Sequence, residues 1–477
     1  MIRSFHGNLL IRLAPTAVAI LVALAPLAAQ DTTAALRYKG LTITPVGFFA
    51  GEALWRSRNL TADVPSAYNS IPFDGTSDAA LSEFRATSRQ SRIGMLASGK
   101  ANENTVSGLI EGDFLGVGIN STSNETNSYV FRIRQAWASV TTASKLTLAG
   151  GQMWSLLTTN KTGMLPRSED APLTIESQFV PGFNWARQTA FRVVKTVDAT
   201  SFGVALEGAQ TTFSARNAPA NVLVGQPGGG FLNAQSTYSI DPAPDLIAKV
   251  AFDPKGWGHW EVKAIGRAMR DRFVDPASTS GGTRTLNTTA AAIGIGTYIP
   301  VMMDNRNVVD LGLSALYGTG IGRYGTSQLP DATVDADGSL KPITAAHALL
   351  SIETHPTTQL DVYGYGGVEY EDRADFVNSA GKGVGYGSPL NGNAGCTVEA
   401  IPGGLYSPAS GAPCNADTRN IWQATAGFWY RFYKGSAGTV QWGLQFSHTA
   451  RNTWSGLGVQ PQGTDNMAFS SFRLVLP

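Results

Sequence analysis

The sequence is poor in charged residues. Only 15% of the 477 residues are Asp, Glu, Lys or Arg, and the formal net charge is +1 at pH 7. This near-neutral balance gives no indication of nucleic-acid binding. Long apolar runs are also missing after the N-terminal stretch, and the mean hydropathy is −0.05. A membrane protein built from helices is therefore not expected, because such a chain is far more apolar.

Residues 1–29 have the layout of a secretory signal. Arg3 and Arg12 precede the apolar stretch TAVAILVALA, which is too short for a membrane-spanning helix of roughly 20 residues. Small residues follow, and cleavage is predicted after Ala29. Residues 30–40 are then a short N-terminal periplasmic segment. The alternative interpretation of the first stretch is a buried N-terminal helix.

Cysteine is almost absent. Cys396 and Cys414 both lie in one stretch rich in Gly, Pro and Asn. In an exported protein, two cysteines in one loop predict a disulfide, which would stabilise the loop by about 3 kcal/mol. No further Cys or His lies at ligand spacing, and DATVDADG at 331–338 lacks the full EF-hand spacing. Neither a metal nor a cofactor is therefore predicted.

Catalytic motifs are scarce as well. The chain has five histidines, none of them in HExxH, and no G-x-S-x-G motif occurs. The protein is therefore predicted not to be an enzyme. The alternative is a lipase-like enzyme built on a barrel. His259 and His448 are its candidate residues, because they alone lie in strand-like segments near Ser or Glu.

Alternation of apolar and polar residues is abundant. In NIWQATAGFWYRFY (420–433) and TVQWGLQFSH (439–448), one parity is apolar and the other mostly polar, as in strands with two unlike faces. About sixteen such segments of roughly ten residues occur, near the length of a tilted membrane strand. They begin near residues 41, 84, 104, 128, 145, 183, 199, 244, 258, 286, 308, 343, 358, 419, 437 and 466.

Short and long connectors alternate along the whole chain. The tight connectors are 98–104, 141–145, 253–258, 354–359 and 433–438, and the long ones are 57–82, 116–127, 157–182, 212–242, 271–284, 319–341, 372–418 and 451–465. This rhythm predicts an all-β, transmembrane antiparallel β-barrel over 41–477, with short periplasmic turns and long extracellular loops. Such a barrel lies in the outer membrane of a Gram-negative-type bacterium, in contact with its lipid. An exported soluble β-rich binding protein is the other alternative.

The stretch YVFRIRQAW carries two arginines among apolar residues. A barrel of about sixteen strands leaves an aqueous lumen. We expect Phe131, Ile133 and Trp137 to face hydrocarbon, and Arg132 and Arg134 to face the water of the pore. An arginine facing lipid at the midplane costs about 2–4 kcal/mol, so two of them favour the wet side.

Further arginines are candidates for the pore wall. They are Arg89, Arg92, Arg187, Arg192, Arg267 and Arg431. Arg431 has the clearest parity, because the aromatic residues around it take the opposite face. Arg187 and Arg192 conflict in parity, which places one of them near a rim or beside a bulge. For each arginine the alternative is a contact at the rim or between subunits.

The long connector 157–182 is a candidate constriction. If it folds inward, its charged residues meet the wall arginines and create a transverse field. These residues are Lys161, Arg167, Glu169, Asp170 and Glu176. The alternative is an ordinary solvated outer loop.

Four motifs follow one another between residues 83 and 156. They are SRQSRIGM, GLIEGDFLG, FRIRQAWASV and LTLAGGQMWSLL. Their order resembles the DcaP-like outer-membrane porins, which carry S-R-x-G, E-G-D-F, R-x-R-x-A and G-Q-x-W-S in this sequence. The chain departs from this pattern in ending with Pro477, where outer-membrane proteins usually end with Phe.

The resemblance implies a function as well as a fold. It makes Arg132 and Arg134 pore-lining and places Glu111 and Asp113 on the adjacent strand facing the lumen. It also implies a homotrimer that passes small anions such as dicarboxylates. The expected function is therefore passive diffusion of small hydrophilic, preferentially anionic solutes.

Overall fold

The computed structural model describes residues 36–118, 124, 126–127, 129–219, 221–227, 237–275, 282–303, 306–399 and 412–477. The predicted signal and the start of the predicted periplasmic segment lie outside the described residues. Within the described ranges, no helix is long and apolar enough to cross a membrane.

The described chain forms sixteen long strands. They are β1 (Leu41–Arg56), β2 (Glu83–Thr87 and, after a break, Arg92–Ala101), β3 (Asn104–Asp113), β4 (Arg132–Thr141), β5 (Leu146–Trp154), β6 (Arg187–Val197), β7 (Thr200–Glu207), β8 (Asp245–Phe252), β9 (His259–Val274), β10 (Thr283–Met303), β11 (Arg306–Thr319), β12 (Thr344–Thr354), β13 (Leu360–Glu371), β14 (Thr418–Gly435), β15 (Gly438–Thr453) and β16 (Gln462–Val475).

Each strand pairs antiparallel with its neighbours in sequence. The sheet closes because β1 pairs with β16, from Phe48↔Val475 to Arg56↔Met467. Closure removes the unpaired edges of an open sheet. The predicted antiparallel barrel of about sixteen strands is confirmed.

Alternation along β9 explains why these residues form a barrel wall. Glu261, Lys263 and Arg267 are at most 4% exposed, whereas Trp260 and Val262 are 44% and 52% exposed. Charged residues thus point into the barrel and apolar residues point out of it. This is the reverse of a soluble protein and the arrangement expected for strands surrounded by lipid.

Tight turns join the strands at one rim. The β8–β9 turn contains Gly256 and Gly258, with φ of 80° and 78°. A Cβ on Gly258 would lie 2.3 Å from the Tyr298 carbonyl oxygen, so this turn requires glycine for both its backbone conformation and its space. The long connectors lie at the other rim, as the alternation in the sequence predicts.

Short elements structure the long connectors and the N-terminal end. They are the strands Leu36–Tyr38, Val222–Leu223, Gly225–Pro227, Thr237–Ser239, Ala332–Val334, Leu340–Pro342, Ala374–Val377 and Gly383–Tyr386, and the 3₁₀ turns Tyr68–Ser70, Asp78–Ala80 and Gly322–Tyr324. Three of the resulting hairpins lie outside the barrel sheet.

The largest apolar cluster lies inside the barrel. It joins Tyr68 of the first long connector to Phe179 of 157–182 and to the adjacent Phe183. These residues pack with the wall residues Trp429 and Phe469. Two connectors thus pack against the inner wall. Part of the lumen is therefore filled by loops, and the remaining space is defined by their side chains.

A register shift between β3 and β4 changes the prediction for Trp137. Glu111 is opposite Gln135 and Gly112 is opposite Ile133, so Arg134 is an extra residue in β4. A bulge inverts the alternation beyond it. Ile133 is exposed as predicted, but Trp137 is only 7% exposed and packs with Leu109. The expectation that Trp137 faces hydrocarbon is corrected by this extra residue.

Candidate functional site

The segment 157–182, which we call the inner loop, contacts the inner wall opposite the strands that it connects. The Leu173 N–H donates to the Tyr365 hydroxyl at 2.7 Å, and Trp429 Nε1 donates to the Leu173 carbonyl at 2.7 Å. The Ile175 N–H donates to Gln445 Oε1 at 2.6 Å. These wall residues belong to β13, β14 and β15. The loop therefore leaves β5, reaches the far wall and returns to β6.

One ion-pair group lies between the inner loop and β12. Lys161 Nζ is 3.4 Å from Asp170 Oδ1 and 3.6 Å from Glu353 Oε2. Burial raises the pKa of Asp170 to about 6, against the attraction of Lys161. Burial also opposes the charge of Lys161, but the carboxylates of Glu353 and Asp170 outweigh it and raise the pKa of the lysine.

The other predicted constriction residues have different surroundings. Glu176 is 1% exposed and accepts hydrogen bonds from the Ser66 N–H at 3.1 Å and Oγ–H at 2.5 Å. Burial raises the pKa of both Glu176 and Glu169. Arg167 is exposed and has a φ of 77°. Glu176 thus joins two connectors rather than facing open space.

Asp113 joins the two arginines of the R-x-R motif. Its Oδ1 is 2.8 Å from Arg132 Nε, and its Oδ2 is 2.7 Å from Arg134 Nη1. Glu111 adds a contact of 3.2 Å to Arg134. The Arg134 side chain is only 2% exposed, against 41% for Arg132. The two arginines that the sequence treats alike therefore differ, because Arg132 alone reaches open space.

Arg187 is held by aromatic rings. Its guanidinium carbon lies 5.2 Å from the ring centroid of Trp154 and 4.6 Å from that of Trp185. Its Nη1 is buried and has no hydrogen-bond partner in the described part of the chain. No carboxylate of the described residues forms an ion pair with it. The stacking contacts are favourable, but they do not neutralise the charge.

Three further predicted pore residues form ion pairs. The partners are Asp63 for Arg89, Asp245 and Asp331 for Arg267, and Asp361 for Arg431. The Arg267 side chain is 1% exposed, whereas those of Arg89 and Arg431 are about a fifth exposed, at 22% and 23%. Arg431 lies near the tight-turn rim, because its partner follows the β12–β13 turn.

Arg92 and Arg192 both lie on the inner side of the wall. Arg92 stacks on Phe48, with 5.0 Å between the guanidinium carbon and the ring centroid. Arg192 donates Nη2 to the Trp154 carbonyl at 2.5 Å. The parity conflict between Arg187 and Arg192 has a simple cause, since Arg187 is the first residue of β6 and lies at its end.

A cavity of about 480 Å³ lies next to Arg187. Its lining is unusually rich in glutamine. No single stretch of the sequence indicates this, because the glutamines come from separate strands and loops. The lining residues are Arg132, Ile133, Gln152, Gln178, Trp185, Ala186, Arg187, Gln188, Gln210, Thr212, Arg323 and Gln328. None of these is a carboxylate. We call this space the glutamine cavity.

One group of side chains near the tight-turn rim has donor atoms suited to a cation. The donors of Asp310, Glu353 and His355 lie within 4.8 Å of one another. His355 Nε2 is 3.0 Å from Asp310, and its Nδ1 is 2.8 Å from Asp361. Burial opposes the charge of His355, but these two carboxylates outweigh it and raise its pKa. Neighbouring residues of the protein thus already satisfy this imidazole.

The imidazole rings of the two histidines of the alternative enzyme hypothesis have no hydroxyl group among their hydrogen-bond partners in the described residues. His259 is 0% exposed and lies between Asp253 and Glu261. His448 accepts or donates a hydrogen bond with Asn466 at 2.8 Å and packs on Trp422 at 5.3 Å.

The predicted disulfide is present. Cys396 and Cys414 are joined by an S–S bond of 2.06 Å. Cys396 packs with Phe73 of the first long connector and with Ala416. The disulfide therefore restrains a connector at the long-loop rim, away from the inner loop.

Comparison with known proteins gives structural matches only. No family model matches the chain, and no curated protein matches it. The outer membrane channel DcaP of Acinetobacter baumannii is similar in structure, with 17% identity, 92% of this chain and 99% of that chain covered, and a TM-score of 0.61. OmpF of Salmonella typhi in complex with daunomycin has 12% identity, covers 92% and 98%, and has a TM-score of 0.47. The anion-selective porin from Comamonas acidovorans has 11% identity, covers 91% and 100%, and has a TM-score of 0.46. The chain therefore has the fold of the outer membrane channel DcaP, and the predicted resemblance to DcaP-like porins is confirmed at the level of the fold.

Proposed function

We propose that this protein is an outer-membrane porin through which small hydrophilic solutes diffuse passively, with a preference for anions. The closed barrel has an apolar outer surface and a charged inner surface, as β-barrels of the outer membrane do. Passive diffusion needs no catalytic group. It requires a continuous water-filled passage that is wide enough for the solute, and the charge of the wall then sets the preference for anions or cations.

The observation that carries the anion preference is the unpaired charge of Arg187. Asp113 and Glu111 offset much of the charge of Arg132 and Arg134, since they lie within 3.2 Å of these arginines. Arg187 has no such partner in the described ranges. A net positive charge beside a cavity inside a low-dielectric wall attracts anions more strongly than the same charge in bulk water.

The inner loop supports a constriction beside this charge. It begins after Trp154 and ends before Arg187, so it enters and leaves the lumen next to the glutamine cavity. Its hydrogen bonds to Tyr365 and Gln445 on the far wall support a fixed position. A fixed loop narrows the pore without requiring any moving part.

The resemblance to DcaP-like porins extends the proposal to dicarboxylate-like solutes and to a homotrimer. The mass of the detergent-solubilised protein tests the trimer directly. A lipase-like enzyme is less well supported, because His259 is enclosed by two carboxylates. A soluble binding protein is disfavoured by exposed residues such as Phe191, which is 72% exposed on β6.

Reconstitution into planar bilayers tests this function. The measured quantity is the zero-current potential in a KCl gradient, which reports the chloride-over-potassium permeability ratio. We expect a ratio above one, and we expect Arg187→Gln to bring it close to one. Arg270→Gln is the matched control, because Arg270 faces outward and bonds Asn287. Absence of current would overturn the porin, and an unchanged ratio in Arg187→Gln would overturn the role of this residue.

A further inference from the structure

The charges around the glutamine cavity leave one positive charge uncompensated. Arg132 donates two hydrogen bonds to the Asp113 carboxylate, from Nε at 2.8 Å and from Nη2 at 3.1 Å. Arg323 Nη2 donates a hydrogen bond to the Asp245 carboxylate at 2.5 Å. Arg187 forms no ion pair with any described residue. An entering solute therefore finds the equivalent of one free guanidinium, which suits one carboxylate.

Three glutamines of the lining have amide oxygens that accept no hydrogen bond from any described residue. Gln152 Nε2 donates to the carbonyls of Ile133 and Arg134, at 3.0 Å each. A carbonyl oxygen can only accept a hydrogen bond, so the NH₂ group of Gln152 must face these carbonyls. This fixes the orientation of the side-chain amide. The oxygen of Gln152 thus remains as an acceptor without a protein partner among the residues with described positions.

The amides of Gln178 and Gln328 are oriented in the same way. Gln178 Nε2 donates to the Thr326 carbonyl at 2.7 Å. Gln328 Nε2 donates to the carbonyls of Arg323 and Gly325, at 3.1 and 3.0 Å. Together with Gln152, these side chains form a set of three acceptors, and such acceptors require donors on the solute.

The remaining two glutamines add donors. Gln210 Oε1 accepts from the Ser239 N–H at 3.3 Å, so its NH₂ group is the end left for a solute. Gln188 forms no side-chain hydrogen bond with any part of the chain that the structure describes. The lining therefore offers several amide groups of both kinds around a single free cation.

Three classes of anion fit this lining unequally. A dicarboxylate brings a second negative charge for which the lining has no second free cation, and it has no O–H donor for the three amide oxygens. An aliphatic monocarboxylate leaves the amides without partners, and each unpaired polar group in such a site is costly. A carboxylate that carries several hydroxyl groups satisfies Arg187 with its charge and the amide oxygens with its O–H donors.

We propose that the glutamine cavity is a selectivity site for polyhydroxylated monocarboxylates, that is, acids of the sugar-acid class. The volume of about 480 Å³ lies within the roughly 300–1,000 Å³ of small-molecule sites. Trp185 gives apolar surface to the C–H groups of such a solute. This inference rests on the proposed porin function, because it assigns the solute class of the same pore, and it replaces the dicarboxylate suggested by the resemblance with a hydroxylated monocarboxylate.

Block of the chloride current in planar bilayers tests the inference on the full-length protein. The probes are gluconate, hexanoate and succinate as potassium salts, added to a KCl background. Gluconate and hexanoate have equal carbon numbers and one carboxylate each, so only the hydroxyl groups differ. We expect half-block by gluconate at a concentration lower by about threefold or more than by either other anion.

A matched pair of variants locates the effect. Gln188→Met removes an amide that forms no hydrogen bond in the described structure, so folding is little affected. We expect it to reduce the ratio of hexanoate to gluconate half-block concentrations by at least half. Gln460→Met removes an exposed amide on an outer connector and should leave this ratio at the wild-type value.

The outcomes separate the two proposals. Absence of any current means that the porin function has failed. A chloride-selective current with equal block by gluconate and hexanoate overturns the sugar-acid inference alone. Stronger block by succinate than by gluconate also overturns it, and assigns the cavity to dicarboxylates. An unchanged ratio in Gln188→Met shows that the hydroxyl preference arises elsewhere in the pore.

Discussion

Lys161 Nζ lies 3.6 Å from Glu353 Oε2, across the gap between the inner loop and β12. The same ammonium group is 3.4 Å from Asp170 of its own loop and 4.9 Å from the ring centroid of Tyr298. This lysine thus links the inner loop to two strands of the wall, β10 and β12. It is also the cation that offsets the acidic side chains around it.

Replacing this lysine is expected to change the current as well as the loop. In Lys161→Met, Asp170 and Glu353 face each other without a cation, so we expect the chloride-over-potassium ratio to fall and current noise to rise. Single-channel recordings measure both quantities. Lys341→Met is the control, because Lys341 pairs with Asp335 in an outer hairpin. Wild-type noise and selectivity in Lys161→Met would contradict this role.

The pKa of Asp170 gives a pH dependence. Burial raises it from the usual 3.8 to about 6, so the folded chain holds this proton more tightly than the unfolded chain. Its contribution to stability is therefore fully present below pH 3.8 and is lost as the pH rises through 6. Protonation also removes a negative charge beside Lys161, so we expect anion preference to increase between pH 7.5 and pH 5.

Asp170→Asn isolates this contribution. The variant should show a weaker increase in the chloride-over-potassium ratio between pH 7.5 and pH 5 than the wild type. The wild type is the reference for the variant, because His355 near the tight-turn rim is present in both proteins and its protonation affects both permeability ratios. An identical pH dependence in the two proteins would show that the charge of Asp170 does not affect ion selectivity.

Asp113 is expected to contribute to both stability and selectivity. In Asp113→Asn the buried Arg134 loses its closest partner, and an uncompensated buried charge costs about 3–5 kcal/mol. We expect a lower temperature for the gel-mobility shift of the barrel and a higher anion preference. Asp372→Asn, at an exposed position, should change neither. Asp113→Asn/Arg134→Gln should recover much of the stability, and failure to do so would argue against a charge effect.

Reduction of the Cys396–Cys414 disulfide should loosen one connector and leave the barrel intact. The disulfide contributes about 3 kcal/mol to closing its loop, so we expect protease cleavage within 387–417 to increase by about a hundredfold after reduction. The gel-mobility shift should remain, because barrel closure depends on β1 and β16. Cys396→Ala/Cys414→Ala should be cleaved equally with and without reductant. Slow cleavage of the reduced protein would contradict the prediction.

The strands of the barrel wall were predictable because the outer and inner faces of the wall contact very different environments. Lipid outside and water inside impose strict alternation, and this alternation places strand starts near residues 104 and 437, where the structure has Asn104 and Gly438. The largest offsets occur beside long loops, as for β6, which is predicted near residue 183 and begins at Arg187. There, strand-like residues continue into connectors that pack inside the barrel.

The site was predictable only in part, for two physical reasons. A bulge adds a single residue, and the pattern of β4 gives no signal that Arg134 is extra. Side-chain pairing across strands is likewise invisible in one sequence, so Arg134 and Arg187 look alike although only one has a carboxylate partner. The glutamine cavity combines positions as far apart as Gln152 and Gln328, which no local pattern connects.

The contact between Ile175 and Gln445 joins positions 270 residues apart. A chain that is still adding strands has no β15, so the inner loop lacks this partner until almost the whole wall exists. Completion of the lumen and closure of the wall are therefore coupled in time. An assembly intermediate that lacks the last strands would contain a loose inner loop, and the narrow part of the passage would be the last region of the molecule to take its final shape.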